Sequence, residues 1–229
     1  MAVAACGDGF NLCLKRMIGH DAAMKQASSA IMGLILAGGL SRRMGGGDKG
    51  LSLLGGETIL ERIVRRLRPQ VGVLFLNANG EPGRLDTLGL PILPDTLPDF
   101  PGPLAGVLAG LEQGAREGFA QVMVVPCDAP FLPTNLVARL REAAGQEGGA
   151  VTVSGGRRHP TVTLWPVHLH KALRRALVEE DQRRVEIILR RHDFVEVEWP
   201  VEPLDPFVNV NDPAGLAEAR ALLERWPAA

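Results

Sequence analysis

Arg43, Lys49 and Asp128 are the residues of this chain best suited to chemistry on a phosphate. Arg43 and Lys49 stand in a stretch that also carries Gly38, Gly39, Gly45, Gly46, Gly47 and Gly50, with Ser41, Arg42 and Asp48 set among them. Glycines let the backbone turn sharply, so that several N–H groups can converge on one anion. A guanidinium adds forked donors that match phosphate oxygens, and an ammonium adds a compact point charge. Asp128 is pinned between Pro126 and Pro130, after a run without polar side chains from Val122 to Val125. A carboxylate held there suits Mg²⁺, which takes oxygen ligands and shares its shell with substrate phosphates. The plainer alternatives are a surface connection for the glycine stretch and a turn or helix cap for Asp128. Two familiar phosphate loops are excluded. No string spells a Walker A loop, and Gly38-Gly39-Leu40-Ser41-Arg42-Arg43 does not spell the dinucleotide fingerprint.

These residues need a scaffold, and the apolar patterning supplies one. Ile31 to Ala37 has the length and branching of a buried parallel strand and runs straight into the glycine stretch. Val71 to Leu76 reads as a second strand, ending in Asn77-Ala78-Asn79-Gly80. Leu90 to Leu93 reads as a third, ending at Pro94-Asp95, and Gln121 to Val125 as a fourth, closing on Pro126-Cys127-Asp128. Helices fall between them. Thr58-Ile59-Leu60-Glu61 matches a capping box, Pro69 stops the helix it opens, and another helix spans Thr134 to Ala144. Ligands of open parallel sheets sit outside the carboxyl ends of the strands, and all four of these strands end in polar groups. Asn77, Asn79 and Asp95 also have a local reading as turn formers.

Beyond Gly148 the pattern loosens. Two strands, Ala150 to Ser154 and Thr161 to Trp165, flank Gly155 to Pro160; helices over Val167 to Val178 and Arg184 to Arg191 precede a strand from Asp193 to Trp199. A strand end at Phe207-Val208 leads into Asn209-Val210-Asn211, and Asp212-Pro213 opens the last helix. Asn211 or Asp212 can cap that helix, whereas Asn209 lies too far back to do so. His168 and His170 have metal-like spacing but no third ligand nearby and read as surface. No Ser-His-Asp constellation is expected, which leaves hydrolase chemistry little support. The expected fold class is α/β: a three-layer α/β/α arrangement around a doubly wound, mostly parallel sheet. Residues 31–229 are expected to form one domain, with 1–30 a poorly ordered N-terminal extension.

Composition narrows the partners. At 229 residues the chain can bury one good core, and its net charge of −1 argues against a nucleic-acid or membrane partner held by bulk charge. No apolar run approaches the ~20 residues a membrane helix needs. Cys6, Cys13 and Cys127 form no Cys-x-x-Cys pair, which fits a reducing cytoplasm.

Leu36-Ala37-Gly38-Gly39-x-Ser41-x-Arg43-Met44-Gly45, followed by Asp48-Lys49, resembles the signature of the GT-A-like nucleotidyltransferases. Within that group the chain is similar to the MobA-like molybdenum cofactor guanylyltransferase family. The further matches are Asn77-Ala78-Asn79, Asp99 to Gly106, Pro126-Cys127-Asp128-x-Pro130, His159-Pro160-Thr161, Arg183-Arg184-Val185 and Phe207 to Asn211. The resemblance implies a Rossmann-like nucleotidyltransferase fold and the transfer of GMP from GTP to the terminal phosphate of molybdenum-bearing molybdopterin, with pyrophosphate released. It implies that Leu36, Ala37, Gly38, Gly39, Lys49, Asn77, Asp95 and Asp128 bind nucleotide, with Asp128 also holding Mg²⁺. Arg43, Lys49 and Asp128 would be catalytic; Arg183, Arg184, Asn209 and Asn211 would lie toward the pterin. The implied enzyme is a cytoplasmic monomer in transient contact with molybdenum-insertion and molybdoenzyme-maturation proteins. Two rivals stay open: a CTP-dependent cytidylyltransferase on the same pterin, and a nucleotide-binding partner protein without turnover.

Overall fold

Strand alternation is what builds the layers here. In Ile31–Leu36 (β1), Ile31 and Ile35 point into one buried cluster and Met32 and Leu34 into another, on the opposite face. A strand buried on both faces must lie inside a sheet covered twice. The computed structural model describes residues 31–37, 49–80, 85, 88–97 and 102–227. The 1–30 extension and the centre of the glycine stretch lie outside the described residues.

Eight further strands follow: Leu53–Leu54 (β2), Glu57–Thr58 (β3), Val73–Asn77 (β4), Ile92–Leu93 (β5), Gln121–Pro126 (β6), Ala150–Ser154 (β7), Arg157–Pro166 (β8) and Val195–Trp199 (β9). Seven strands make the main sheet, in the order β5-β4-β1-β6-β8-β7-β9. Within it β8 alone runs antiparallel to its neighbours; the others share one direction. Their carboxyl ends therefore lie along one edge. β2 and β3 form a separate small hairpin.

Helices cover both faces. Ile59–Leu67 (α1), Leu136–Ala144 (α3) and Pro213–Arg225 (α6) pack on one side; Pro103–Glu117 (α2), His170–Val178 (α4) and Val185–Arg191 (α5) pack on the other. The result is the expected three-layer, doubly wound α/β arrangement. The capping box of α1 is complete: Glu61 N–H donates to Thr58 Oγ1 at 3.1 Å, and Thr58 N–H donates to Glu61 Oε2 at 2.7 Å. Of the arginines after it, Arg65 bonds Glu57 and Arg66 Nε donates to the Leu132 carbonyl, which makes both structural.

Three local expectations change. The expected six-residue connection after Ser154 shrinks to Gly155-Gly156, with φ of +54° and +73°, and Arg157 to Pro160 join β8. Two consecutive positive φ values make the tight hairpin turn that glycine pairs favour. Phe207-Val208 forms no strand; it belongs to an irregular segment running from β9 to α6. Finally, Asp212 caps α6, accepting from Gly215 N–H at 2.8 Å, so Asn211 is released from that duty.

Candidate active site

The site begins where β1 stops. Beyond the last pairs of the ladder, Ala37 N–H donates to the Asn77 carbonyl at 2.8 Å and Cys127 N–H to the Leu36 carbonyl at 3.1 Å. Leu36 and Ala37 thus lie between the ends of β4 and β6, at the mouth of the glycine stretch. Gly38, Gly39 and Arg43 fall outside the described residues, and of Lys49 the backbone alone is described, at the start of a short 3-10 turn. The chain returns to the same edge at Gly50. A methyl group there would sit 3.2 Å from Leu60 Cβ and 3.5 Å from the Cys127 carbonyl oxygen. The Lys49–Gly50 backbone is therefore brought beside the Cys127-Asp128 turn.

At the end of β4, Asn77 is buried. Its Nδ2 donates to the Leu93 carbonyl at 3.0 Å and to Asp95 Oδ1 at 2.8 Å. Asn79 Nδ2 donates to Asp95 Oδ2 at 2.7 Å, while Asp95 N–H donates back to Asn79 Oδ1 at 2.9 Å. Each carboxylate oxygen of half-buried Asp95 is gripped by one amide, which fixes the plane of the group. An ionised carboxylate has about four acceptor sites, so capacity remains for a ligand's N–H groups. The turn-forming reading of these residues thus holds together with a binding one.

Asp128 is half-buried at the carboxyl end of β6. Its carbonyl oxygen accepts from Val210 N–H at 2.8 Å. That bond draws the Asn209-Val210-Asn211 segment onto Asp128 across 82 residues of sequence. Val210 is buried and both asparagines are exposed, so Val210 anchors a strap whose flanking carboxamides stay accessible. Arg183 and Arg184 reach the same edge by another route. α5 ends at Arg191, and the chain then enters β9, whose Val195 N–H meets the Gly149 carbonyl just before β7; the helix's first residue therefore lies toward the carboxyl edge. Arg183 donates to Asp181 at 2.7 Å, and Arg184 stands at the N-cap position of α5, in the α2/α4/α5 layer, without a side-chain capping bond. The structure brings Leu36, Ala37, Asn77, Asp95, Asp128, Asn209 and Asn211 to one strand-end row, with both arginines on the opposite layer at its β7–β9 end.

Two features escaped sequence reasoning. Gly106, in α2, faces Asn77: a methyl group there would stand 2.8 Å from Leu36 Cδ2 and only 2.2 Å from Asn77 Oδ1. Gly110 and Gly114 continue the row against Leu34 and Val167, and glycine at every fourth position was the available signal for a helix face pressed close to strands. The second is a contact set of Ser154, His159 and Asp205, at the ends of β7 and β8, which corrects the expectation that no such constellation occurs. Its order rules out a nucleophile: the carboxylate accepts from the serine, not from the histidine. His168 is exposed and His170 bonds the Val167 carbonyl, and among the described residues no group of three His, Cys, Asp or Glu side chains forms a metal cage.

With this geometry in place, the comparisons are specific. Residues 33–195 match the family model described as the MobA-like NTP transferase domain. A protein of Nitrobacter hamburgensis named molybdenum cofactor guanylyltransferase is 50% identical over 194 residues, covering 83% of this chain and 93% of that protein. One of Mesorhizobium japonicum with the same name is 50% identical over 200 residues, covering 85% and 96%. Among solved structures, molybdopterin-guanine dinucleotide biosynthesis protein A from Archaeoglobus fulgidus matches with a TM-score of 0.64 at 22% identity, over 85% of this chain and 100% of that one. A 2-C-methyl-D-erythritol 4-phosphate cytidylyltransferase from Thermus thermophilus matches with a TM-score of 0.61 at 21% identity, over 85% and 99%. At such identities the structural likenesses speak for the fold alone.

Proposed function

The chain belongs to the MobA-like NTP transferase family, and from that premise we propose that it transfers GMP from GTP to the terminal phosphate of molybdenum-bearing molybdopterin. In this reaction an acceptor phosphate oxygen bonds to the α-phosphorus of GTP and the bond to the β-phosphate bridging oxygen breaks. The products are the guanine dinucleotide form of the cofactor and pyrophosphate. The acceptor phosphate is already an anion, so the reaction needs no strong general base. What it needs is two anions held in line and compensation of the charge that develops on the departing pyrophosphate.

The observation that carries this reading is the meeting of Asp128, the 209–211 strap and the Lys49–Gly50 backbone at one sheet edge. The donors there are oxygens: one carboxylate and two carboxamides, and among the described residues no His, Cys, Asp or Glu cage surrounds them. That set fits Mg²⁺, which keeps waters and substrate phosphates in its shell and takes few protein ligands. Asp128 would hold it, and when bound it supplies Lewis-acid stabilisation of phosphate charge. Lys49 and Arg43 neutralise the pyrophosphate, Gly38 and Gly39 offer backbone N–H groups to it, and Asn209 and Asn211 orient the acceptor, with Arg183 and Arg184 on its pterin side. Asp95, its carboxylate plane set by Asn77 and Asn79, accepts from the guanine N1–H and N2–H₂ donors. In this proposal it works as a cytoplasmic monomer in transient contact with molybdenum-insertion and molybdoenzyme-maturation proteins. Among the described residues no helix is long and apolar enough to cross a membrane.

Base choice is tested by calorimetry of GTP and CTP against the protein with Mg²⁺ present. GTP is expected to bind at least about tenfold more tightly, since cytosine offers Asp95 no paired N1–H and N2–H₂ donors. Tighter CTP binding would replace this reading with a cytidylyltransferase.

A further inference from the structure

The strap that carries Asn209 and Asn211 is tied down at two places. One is the bond from Val210 N–H to the Asp128 carbonyl. The other lies upstream, at the ends of β7 and β8, where a small polar cluster sits beneath aromatic rings. Ser154, the last residue of β7, is 2% exposed. Its hydroxyl donates to Asp205 Oδ1 at 2.9 Å, and the same oxygen accepts Phe207 N–H at 3.0 Å. His159 Nε2 lies 2.7 Å from Ser154 Oγ.

The proton count fixes the direction of that last contact. A carboxylate has no proton to give, so the single hydroxyl proton of Ser154 is committed to Asp205. His159 must then be the donor, through Nε2–H, to the serine oxygen. The chain of bonds runs His159 to Ser154 to Asp205, and Phe207 joins it from the strap side. The rings close the same arrangement: His159 stacks at a tilt on Phe207 with centroids 4.8 Å apart, and Phe207 meets Trp199 of β9 edge-on at 5.4 Å. Phe207 is buried, so the strap's upstream end is held by packing as well as by hydrogen bonds.

We propose that Ser154, His159 and Asp205 are positioning residues for the acceptor half of the reaction: they lock the start of the 205–211 strap so that Asn209 and Asn211 face the acceptor phosphate beside Asp128. The proposal rests on the guanylyltransferase reading above. None of the three touches the reacting atoms; each acts through the strap. Between Phe207 and Val210 only two residues intervene, so loosening one anchor shifts Asn209 and Asn211 directly. A misplacement of about 1 Å in a positioning group can cost about 100-fold in rate. The nucleotide side is anchored independently, by Asn77, Asn79 and Asp95 across the sheet.

The test is steady-state kinetics of the full chain with Mg²⁺, GTP and molybdopterin, alongside calorimetric GTP binding and thermal melts. Ser154→Ala is expected to raise KM for the acceptor about tenfold or more and to lower kcat. GTP affinity should stay within about twofold and the melting temperature within a few degrees, which a general structural defect would not allow. Asp205→Ala should behave in the same way. Asp205→Asn, whose amide oxygen still accepts from both Ser154 and Phe207, should recover most of the acceptor affinity. An unchanged acceptor KM in Ser154→Ala overturns the proposal, as does a loss of GTP affinity in step with it. If Ser154→Ala does not fold, the Asp205→Ala and Asp205→Asn pair decides by the same criteria. Absence of pyrophosphate release by the wild-type chain would instead overturn the functional reading itself.

Discussion

Asn77 shows how tightly a residue proposed to bind nucleotide can depend on a neighbour with no side chain. Its amide reaches Asp95 because α2 presents Gly106 at the point of closest approach, where even a methyl group would overlap Asn77 Oδ1 at 2.2 Å. Gly106→Ala gains helix propensity of about 1 kcal/mol yet must displace the carboxamide. It is expected to weaken GTP binding about tenfold or more by unsettling Asp95, with the fold retained; unchanged calorimetric affinity would count against the role given to Asn77. Asp128 and Asn77 were legible in the sequence because each directly follows a recognisable apolar strand. Ser154, His159 and Asp205 were not, because 51 residues separate the serine from the aspartate and only the β7–β8 hairpin and the return of the strap bring them together. Gly106 and His159 both lie within family motifs of the sequence, but the purpose of the first depends on which strand the helix crosses and that of the second on the return of the strap.

Among the elements, the joint between α1 and α3 is bridged chiefly by Gln70, beside the Arg66 bond to the Leu132 carbonyl. Gln70 Nε2 donates to the Arg66 carbonyl at 2.8 Å and the Pro133 carbonyl at 2.9 Å, and its Oε1 accepts Val137 N–H at 3.0 Å. It thereby satisfies the end of one helix and the first turn of another, where backbone groups would otherwise go unpaired. Gln70→Ala is expected to destabilise the protein by about 1–3 kcal/mol in urea titrations, with kcat for the remaining folded enzyme unchanged. Element type was readable nearly throughout, since long apolar runs and the capping box at Thr58 carry local physics. Boundaries and the irregular segment were harder. Phe207-Val208 reads as a strand by residue type, but Phe207 is buried against rings at the edge of β7–β9 instead of pairing in a ladder. The tightness of the Gly155-Gly156 turn lies in its two positive φ values, which a glycine pair permits without demanding.

Considered as a whole, the molecule packs two helical layers on its seven-stranded sheet and directs the carboxyl ends of six strands toward one edge, where the proposed site lies. Its response to acid follows from two histidines. Burial is the main cause that holds both His159 and His192 below the usual imidazole value of 6.5. The folded state therefore stays neutral at these positions while the unfolded chain takes up protons as pH falls past about 6.5. Unfolding binds protons in that window, so stability declines with falling pH from about 6.5 until the folded histidines themselves titrate. His159→Gln should flatten part of this slope in melts between pH 7 and 5, and His192 should account for a further part. Two carboxylates add their own losses in more acidic solution, below about 4.5: Glu57, held low chiefly by Arg65, and Glu112, where burial pushes up but bonds from Arg174 and Thr96 win and pull it low.

The most direct measurement is the formation of the guanine dinucleotide product from GTP, Mg²⁺ and molybdopterin, followed by chromatography and mass spectrometry for the wild-type chain and for Asp128→Ala. Stoichiometric product and pyrophosphate from the wild type, with a loss of about 100-fold or more in the folded variant, is the predicted result. Near-normal turnover by Asp128→Ala, or no dinucleotide from the wild type, would contradict the account.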